Sequence, residues 1–146
     1  MGQVWRGVHD TQLVPVAIKV ITGDYARNPE YTQAFNDEVR AVAGMEHPSI
    51  VMVFDHGEIP AEVERISQGA LRAGSPYLVM EYASLGSLGG LQGNVEWLEL
   101  EAVLIELLDA LAHAHARGVT HLDLKPANIL LSSTQDLRPG VKLTDF

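Results

Sequence analysis

Apolar and polar positions change their period several times along the chain, and each change marks an element. Gly2-Gln3-Val4-Trp5-Arg6-Gly7-Val8 sets apolar residues on alternate positions between two glycines, as a strand leaving a turn does. Leu13 to Ile21 is a clearer strand, with Val16, Ile18 and Val20 on one face and Ala17, Lys19 and Ile21 on the other. The polar stretch Thr22 to Asn28 ends in Asn28-Pro29, a capping side chain followed by a proline suited to the first helical position, so a helix is predicted from there. Tyr31, Phe35, Val39 and Val42 supply its apolar stripe, and Gly44 is placed to end it in a left-handed conformation. Glu46-His47-Pro48 breaks the chain before a strand over Ile50, Val51, Val53 and Phe54. Residues 57–76 carry glycines, a proline and the charged run Glu62-Val63-Glu64-Arg65, a long connection with room for one helical turn.

Pro76 to Tyr82 is a strongly apolar strand that runs into Ala83-Ser84-Leu85-Gly86-Ser87-Leu88-Gly89-Gly90, whose small residues predict a flexible segment between two subdomains. A second helix is predicted from Glu96 to Arg117 on the stripe Leu100, Val103, Leu104, Leu107, Leu108 and Leu111. Glu96, Glu99 and Glu101 suit its positive end, Arg117 suits its negative end, and Gly118 is the stop. Ile129 to Leu131 and Val141 to Leu143 then form two short strands joined by the polar turn Ser132 to Gly140.

Composition narrows the function classes. The 146 residues are 47% hydrophobic and 20% charged, enough for about one domain with a core. A formal charge of -9 disfavours any protein that binds nucleic acid through its phosphates. The absence of cysteine excludes a disulfide framework or thiolate metal site and suits a reducing compartment. No apolar run approaches the roughly 18 residues of a membrane span, and no basic-then-apolar leader opens the chain. The expectation is a soluble, cytoplasmic protein.

Polar groups able to do chemistry concentrate in His121-Leu122-Asp123-Leu124-Lys125-Pro126-Ala127-Asn128, a turn entered and left by apolar residues and stiffened by Pro126. Taken singly, such residues have ordinary structural explanations. An Asp or Asn caps a turn, a strand lysine such as Lys19 lies at a solvated edge, and a helix glutamate such as Glu38 faces water. His113 and His115 share their spacing with no third metal ligand and are assigned to packing or surface. What lifts the loop above this reading is its fixed spacing of a carboxylate, a cation and a carboxamide.

The loop matches the H-R-D-L-x-x-x-N pattern of protein kinases at His121, Asp123, Leu124 and Asn128 and departs from it at Leu122. Val16-Ala17-Ile18-Lys19 matches V-A-I-K, Glu46-His47-Pro48-Ser49-Ile50-Val51 is similar to H-P-N-I-V, and Asp145-Phe146 is similar to the start of D-F-G. In this order the motifs resemble a eukaryotic-type (Hanks-type) serine/threonine protein kinase, with Lys125 pointing to the serine/threonine version. The resemblance implies an α+β, protein-kinase-like fold that is incomplete. About 1–82 would be a small antiparallel β lobe with one regulatory helix, 83–90 a hinge and linker, and 91–146 the first part of the helical large lobe.

The resemblance also implies roles. Lys19, fixed by Glu38, would hold the α- and β-phosphates of ATP; Gly2 and Val4, as the tail of the glycine-rich loop, would lie against the nucleotide together with Ala17. Met80 would be the gatekeeper, and the backbone at Glu81 and Ala83 would bond adenine. Asp123 would accept the proton of the attacking hydroxyl of a protein Ser or Thr, Lys125 would steady the γ-phosphate, and Asn128 and Asp145 would bind Mg²⁺ through hard oxygen ligands. Leu122 stands where an arginine commonly pairs with an activation-loop phosphate, which implies no such phosphorylation control.

Relative to that family both ends are cut. The first phosphate-loop glycines, the glycine after Phe146, the activation loop and A-P-E are missing, so the isolated chain is expected to have little or no phosphotransferase activity. The apolar face of the helix over about 98–117 would then need a partner or missing segment to cover it. Two other readings share part of the pattern. A non-catalytic pseudokinase or interaction module would fit the truncation but not the retained Lys19, Asp123, Asn128 and Asp145. An aminoglycoside-type small-molecule phosphotransferase uses a similar loop, against which Pro48 and Lys125-Pro126 argue.

Overall fold

The structure, a computed structural model, describes residues 2–22, 28–91 and 96–146, with the side chains of Pro29 and Glu38 outside the description. The chain divides into two compact units. The first comprises residues 2–40 and 53–81; the second comprises Ala41–Met52 and Tyr82–Phe146. Residues 41–52, which chain order alone groups with the small lobe, thus belong with the second unit.

In the first unit, β1 (Gly2–Val8), β2 (Pro15–Ile21), β3 (Val53–Glu58) and β4 (Pro76–Glu81) form an antiparallel sheet in the order β1-β2-β4-β3. β1 is the outer strand, and its side chains are almost all exposed. The inner strands β2 and β4 carry the β-branched and apolar residues, and Val16, Val20, Leu78 and Met80 are buried. Burial in β2 does not alternate cleanly: Ile18 is only half-buried while Ile21 is buried, because β2 is covered unevenly along its length. β3 starts three residues later than the apolar run Ile50 to Phe54 predicts and extends through the polar Asp55-His56-Gly57-Glu58, because pairing with β4 rather than hydrophobicity defines it. The connection after it contains α2 (Ala61–Ile66), whose glutamates lie in the first turn and which buries no residue.

α1 (Pro29–Ala43) starts as its sequence predicts, with the Glu30 amide donating to Asn28 Oδ1 at 2.9 Å. Phe35, Val39 and Val42 are buried, whereas Tyr31, one turn before Phe35, is exposed. Gly44 is not in the left-handed region; the helix closes with the Met45 amide donating to the Val42 carbonyl. The polar stretch expected after β2 falls mainly on 23–27, outside the described residues.

In the second unit, α3 (Trp97–Ala116) begins with a capping box between Glu96 and Glu99 and ends at Gly118, which adopts φ +75°. Its buried positions are Leu107, Ala110 and Ala114, with Leu100, Val103 and Leu111 half-buried. Leu104 and Leu108, expected in the stripe, face outward with Trp97, Leu98 and Ile105. Two alanines replace them at the buried face because α3 packs on β6, where small side chains permit close approach. Among the described residues no helix is long and apolar enough to cross a membrane.

β5 (Ile129–Ser132) and β6 (Gly140–Leu143) form a hairpin as predicted. The small-residue stretch expected to be flexible is instead hydrogen-bonded within this unit. The Leu85 amide donates to Leu131 O, the Leu131 amide donates to Gly86 O, and Asp136 accepts from both the amide and the hydroxyl of Ser84. One glycine of the stretch has a backbone reason, since Gly86 adopts φ +76°.

At the start of β6, Gly140 has φ +97°, and the Val141 amide donates to Glu106 Oε2 of α3 at 2.8 Å. A Cβ at Gly140 would stand 2.7 Å from that same oxygen. Gly140→Ala therefore combines left-handed strain with displacement of the Glu106 bond and is expected to destabilise the unit by roughly 2–3 kcal/mol. A lowered urea midpoint at unchanged slope measures it.

Candidate active site

The loop after α3 is shaped by its own backbone. The Asp123 amide donates to the His121 carbonyl at 2.6 Å across Leu122, a residue at φ +58° and 92% exposed. A three-residue turn with positive φ at a non-glycine centre is rare and strained. It projects Leu122 outward and turns Asp123 toward the residues that follow. Lys125 Nζ donates to Asp123 Oδ2 at 2.6 Å, and Asn128 Nδ2 donates to the same oxygen at 3.2 Å and to the Asp123 carbonyl at 2.9 Å. A short 3₁₀ turn, Pro126–Asn128, with Pro126 at its start, brings the Asn128 side chain back into the loop, where it is buried.

The Asp123 carboxyl is held below the usual carboxylate range, first by the hydrogen bond from Lys125 and then by the Lys125 charge, the Asn128 amide and nearby His121; partial desolvation opposes them. It is ionised at neutral pH and can only accept. Asn128 spends its amide hydrogens on Asp123, which leaves its carbonyl oxygen as the hard donor on that side chain.

Asp145 is set relative to Asn128 through Thr144, whose amide donates to the Asn128 carbonyl at 3.1 Å and whose carbonyl accepts from His121 Nε2 at 2.9 Å. His121 is buried, and its ring lies 4.7 Å from that of Phe146. Asp145 itself is left-handed at φ +61°, a conformation that Asp tolerates better than most residues. Four predicted residues, Asp123, Lys125, Asn128 and Asp145, thus lie in one hydrogen-bonded assembly of the second unit. His121 and Thr144 organise it, and sequence reasoning assigned neither a role. His121 was visible in the motif, whereas nothing in the local pattern marked Thr144.

The remaining predicted residues lie apart in chain position. Ala83, half-buried in the second unit, has its carbonyl engaged by the Gly86 amide at 3.3 Å. In the first unit, Lys19 is half-buried on β2 with Val4 and Leu78 as its strand partners, and Ala17 lies between Arg6 and Met80. Lys19 is therefore not the solvated edge lysine of the ordinary reading. Val4 is exposed on β1, and Gly2 has a packing reason of its own, since a Cβ there would stand 2.9 Å from the Val20 carbonyl oxygen. Met80 and Glu81 are buried at the end of β4. Glu38 lies on α1, its side chain outside the described residues.

Known proteins resemble this chain over its full length. The protein kinase domain family is matched across residues 1–146. The serine/threonine-protein kinase PknA of Mycobacterium tuberculosis is 36% identical over 150 residues, covering all of this chain and 32% of that protein. Serine/threonine-protein kinase Pkn1 of Myxococcus xanthus is 36% identical over 147 residues, covering 100% of this chain and 19% of its own length. The crystal structure of the Mycobacterium tuberculosis PknI kinase domain superposes with a TM-score of 0.73 at 26% identity, over 100% of this chain and 54% of that one. The chain therefore spans a third or less of these curated relatives and about half of that solved domain.

Replacing Lys125 by Met removes the largest influence on Asp123, so its carboxyl titration should move up toward the ordinary range. A ¹³C-carboxyl NMR titration checks this. Because the folded value is depressed, the associated stabilisation is complete above the ordinary carboxylate range and is lost as pH falls through the folded value; the variant should show less of that acid sensitivity.

Proposed function

The chain belongs to the protein kinase family, and on that premise we propose that it carries the nucleotide-binding and catalytic groups of a serine/threonine protein kinase that transfers the γ-phosphoryl group of ATP to a protein hydroxyl. The observation that carries this reading is the assembly of an ionised Asp123 with Lys125 and Asn128, tied through Thr144 to Asp145.

In the proposed reaction the substrate hydroxyl oxygen forms a bond to the γ-phosphorus while the bond from that phosphorus to the β,γ-bridging oxygen breaks, and ADP leaves. Asp123 takes the hydroxyl proton. Lys125, which lies on Asp123 here, is long enough to turn its ammonium to the transferring group. Phosphoryl transfer asks for positioned charge more than for covalent participation by the protein, and these side chains supply it. Lys19 would meet the α- and β-phosphates, with Glu38 on α1 as its proposed partner. Val4 and Ala17 would contact the base, and Met80 and the backbone at Glu81 and Ala83 would bound the adenine site.

The Asn128 carbonyl oxygen and the Asp145 carboxylate are the oxygen donors that Mg²⁺ prefers. When bound, Mg²⁺ supplies positive charge against the triphosphate. Leu122, with no cation to offer an activation-loop phosphate, supports a site that works without phosphorylation of that loop.

Two substitutions separate the roles. In a protein containing this chain, Asp123→Asn is expected to lower turnover by about 10²–10⁴-fold while nucleotide affinity stays close to the parent's. Asp145→Asn is expected to remove the increment that Mg²⁺ adds to nucleotide binding in titration calorimetry. Undiminished protein phosphorylation by Asp123→Asn would refute the catalytic assignment.

A further inference from the structure

The turn that follows α1 presents four consecutive backbone carbonyls, and every one is taken by a residue of the β5–β6 hairpin. Arg138 Nη1 donates to His47 O at 3.2 Å, Lys142 Nζ to Pro48 O at 2.7 Å, the Leu143 amide to Ser49 O at 2.9 Å and Arg138 Nη2 to Ile50 O at 2.7 Å. The Val51 amide closes the set on Leu143 O at 3.0 Å. Lys142 has no exposed surface and also donates to Pro139 O at 3.0 Å. Carbonyl dipoles converge on both cations, and a buried ammonium or guanidinium needs such acceptors to be tolerated.

The shape of the turn is itself fixed. The Ser49 amide donates to His47 Nδ1 at 3.1 Å, so the proton on the ring lies at Nε2, which donates to Asp109 Oδ2 of α3 at 3.1 Å. The turn thus has hydrogen bonds of its own besides those from the two cations.

We propose that Arg138 and Lys142 are positioning residues for Asp145. Leu143 stands two residues before it, so one edge of β6 is paired with β5 and the other is locked to Ser49 and Val51. With Thr144 already held by Asn128 and His121, no residue from 141 to 144 can shift without breaking bonds to the turn, the loop or Glu106 of α3. The left-handed Asp145 then departs from a fixed strand end. The inference rests on the proposed function only for what Asp145 does; the tie itself is independent of it.

The test uses Lys142→Met, which keeps the length and removes the donor, and Arg138→Lys, a milder change that leaves one ammonium where a guanidinium served two carbonyls. Amide exchange at Val51, Leu143 and Thr144 is expected to quicken by roughly tenfold or more in both, as loss of buried bonds requires, with β2–β4 amides unchanged. The Asp145 resonances should shift, and the Mg²⁺-dependent part of nucleotide affinity should fall while Mg²⁺-free affinity holds. A fold that merely loosened would lower both affinities together. Unchanged exchange, or quickened exchange with Asp145 resonances unmoved, overturns the inference. Should Lys142→Met unfold the unit, Arg138→Lys decides alone. If the parent shows no Mg²⁺-dependent nucleotide binding, the proposed nucleotide and Mg²⁺ roles fail, and the exchange rates and Asp145 resonances still decide the tie.

Discussion

The second unit depends on β6 being hydrogen-bonded along both edges. β5 pairs with one side and the Ser49–Val51 segment with the other, while Glu106 holds the Val141 amide and Lys142 fills the space beneath with a buried cation. Such bonds add little net stability when made, but each buried carbonyl left without a donor would cost about 1–3 kcal/mol. That asymmetry explains why the strand tolerates an ammonium with no exposed surface.

Asp123 is held differently. It and Lys125 are largely exposed, so their ion pair is screened and does little for the fold. In the proposed reaction its value is chemical. An exposed carboxylate kept ionised by an adjacent ammonium and a carboxamide can accept a proton from a group brought to it, and the lysine remains free to turn away. The strained turn at Leu122 belongs to the same arrangement, because it is what sends Asp123 back toward Asn128. Positioning by buried backbone and chemistry by exposed side chains are thus divided between neighbouring residues of one loop.

Much of this was legible in the chain. The Asn28 cap, the Gly118 stop, the β5–β6 hairpin and the proximity of Asp123, Lys125 and Asn128 follow from rules that act over a few residues, and the structure bears them out. Rules of that range failed where partners lie far away in sequence. Leu104 and Leu108 belong to the stripe that periodicity marks, yet close packing of α3 on β6 buries Ala110 and Ala114 and leaves both leucines exposed. The glycine-rich 83–90 read as flexible because small residues lose most entropy on ordering, yet Leu131 and Asp136, more than forty positions on, hold it.

By itself, then, the sequence determined where most elements form and which residues bring a carboxylate, a cation and a carboxamide into one loop, since capping, periodicity and motif spacing are written locally. Only the tertiary structure decided that the turn after α1 joins the second unit and that four of its carbonyls close on Arg138 and Lys142. A backbone carbonyl is the same group in every residue, so no side-chain pattern can announce where it will find its donor.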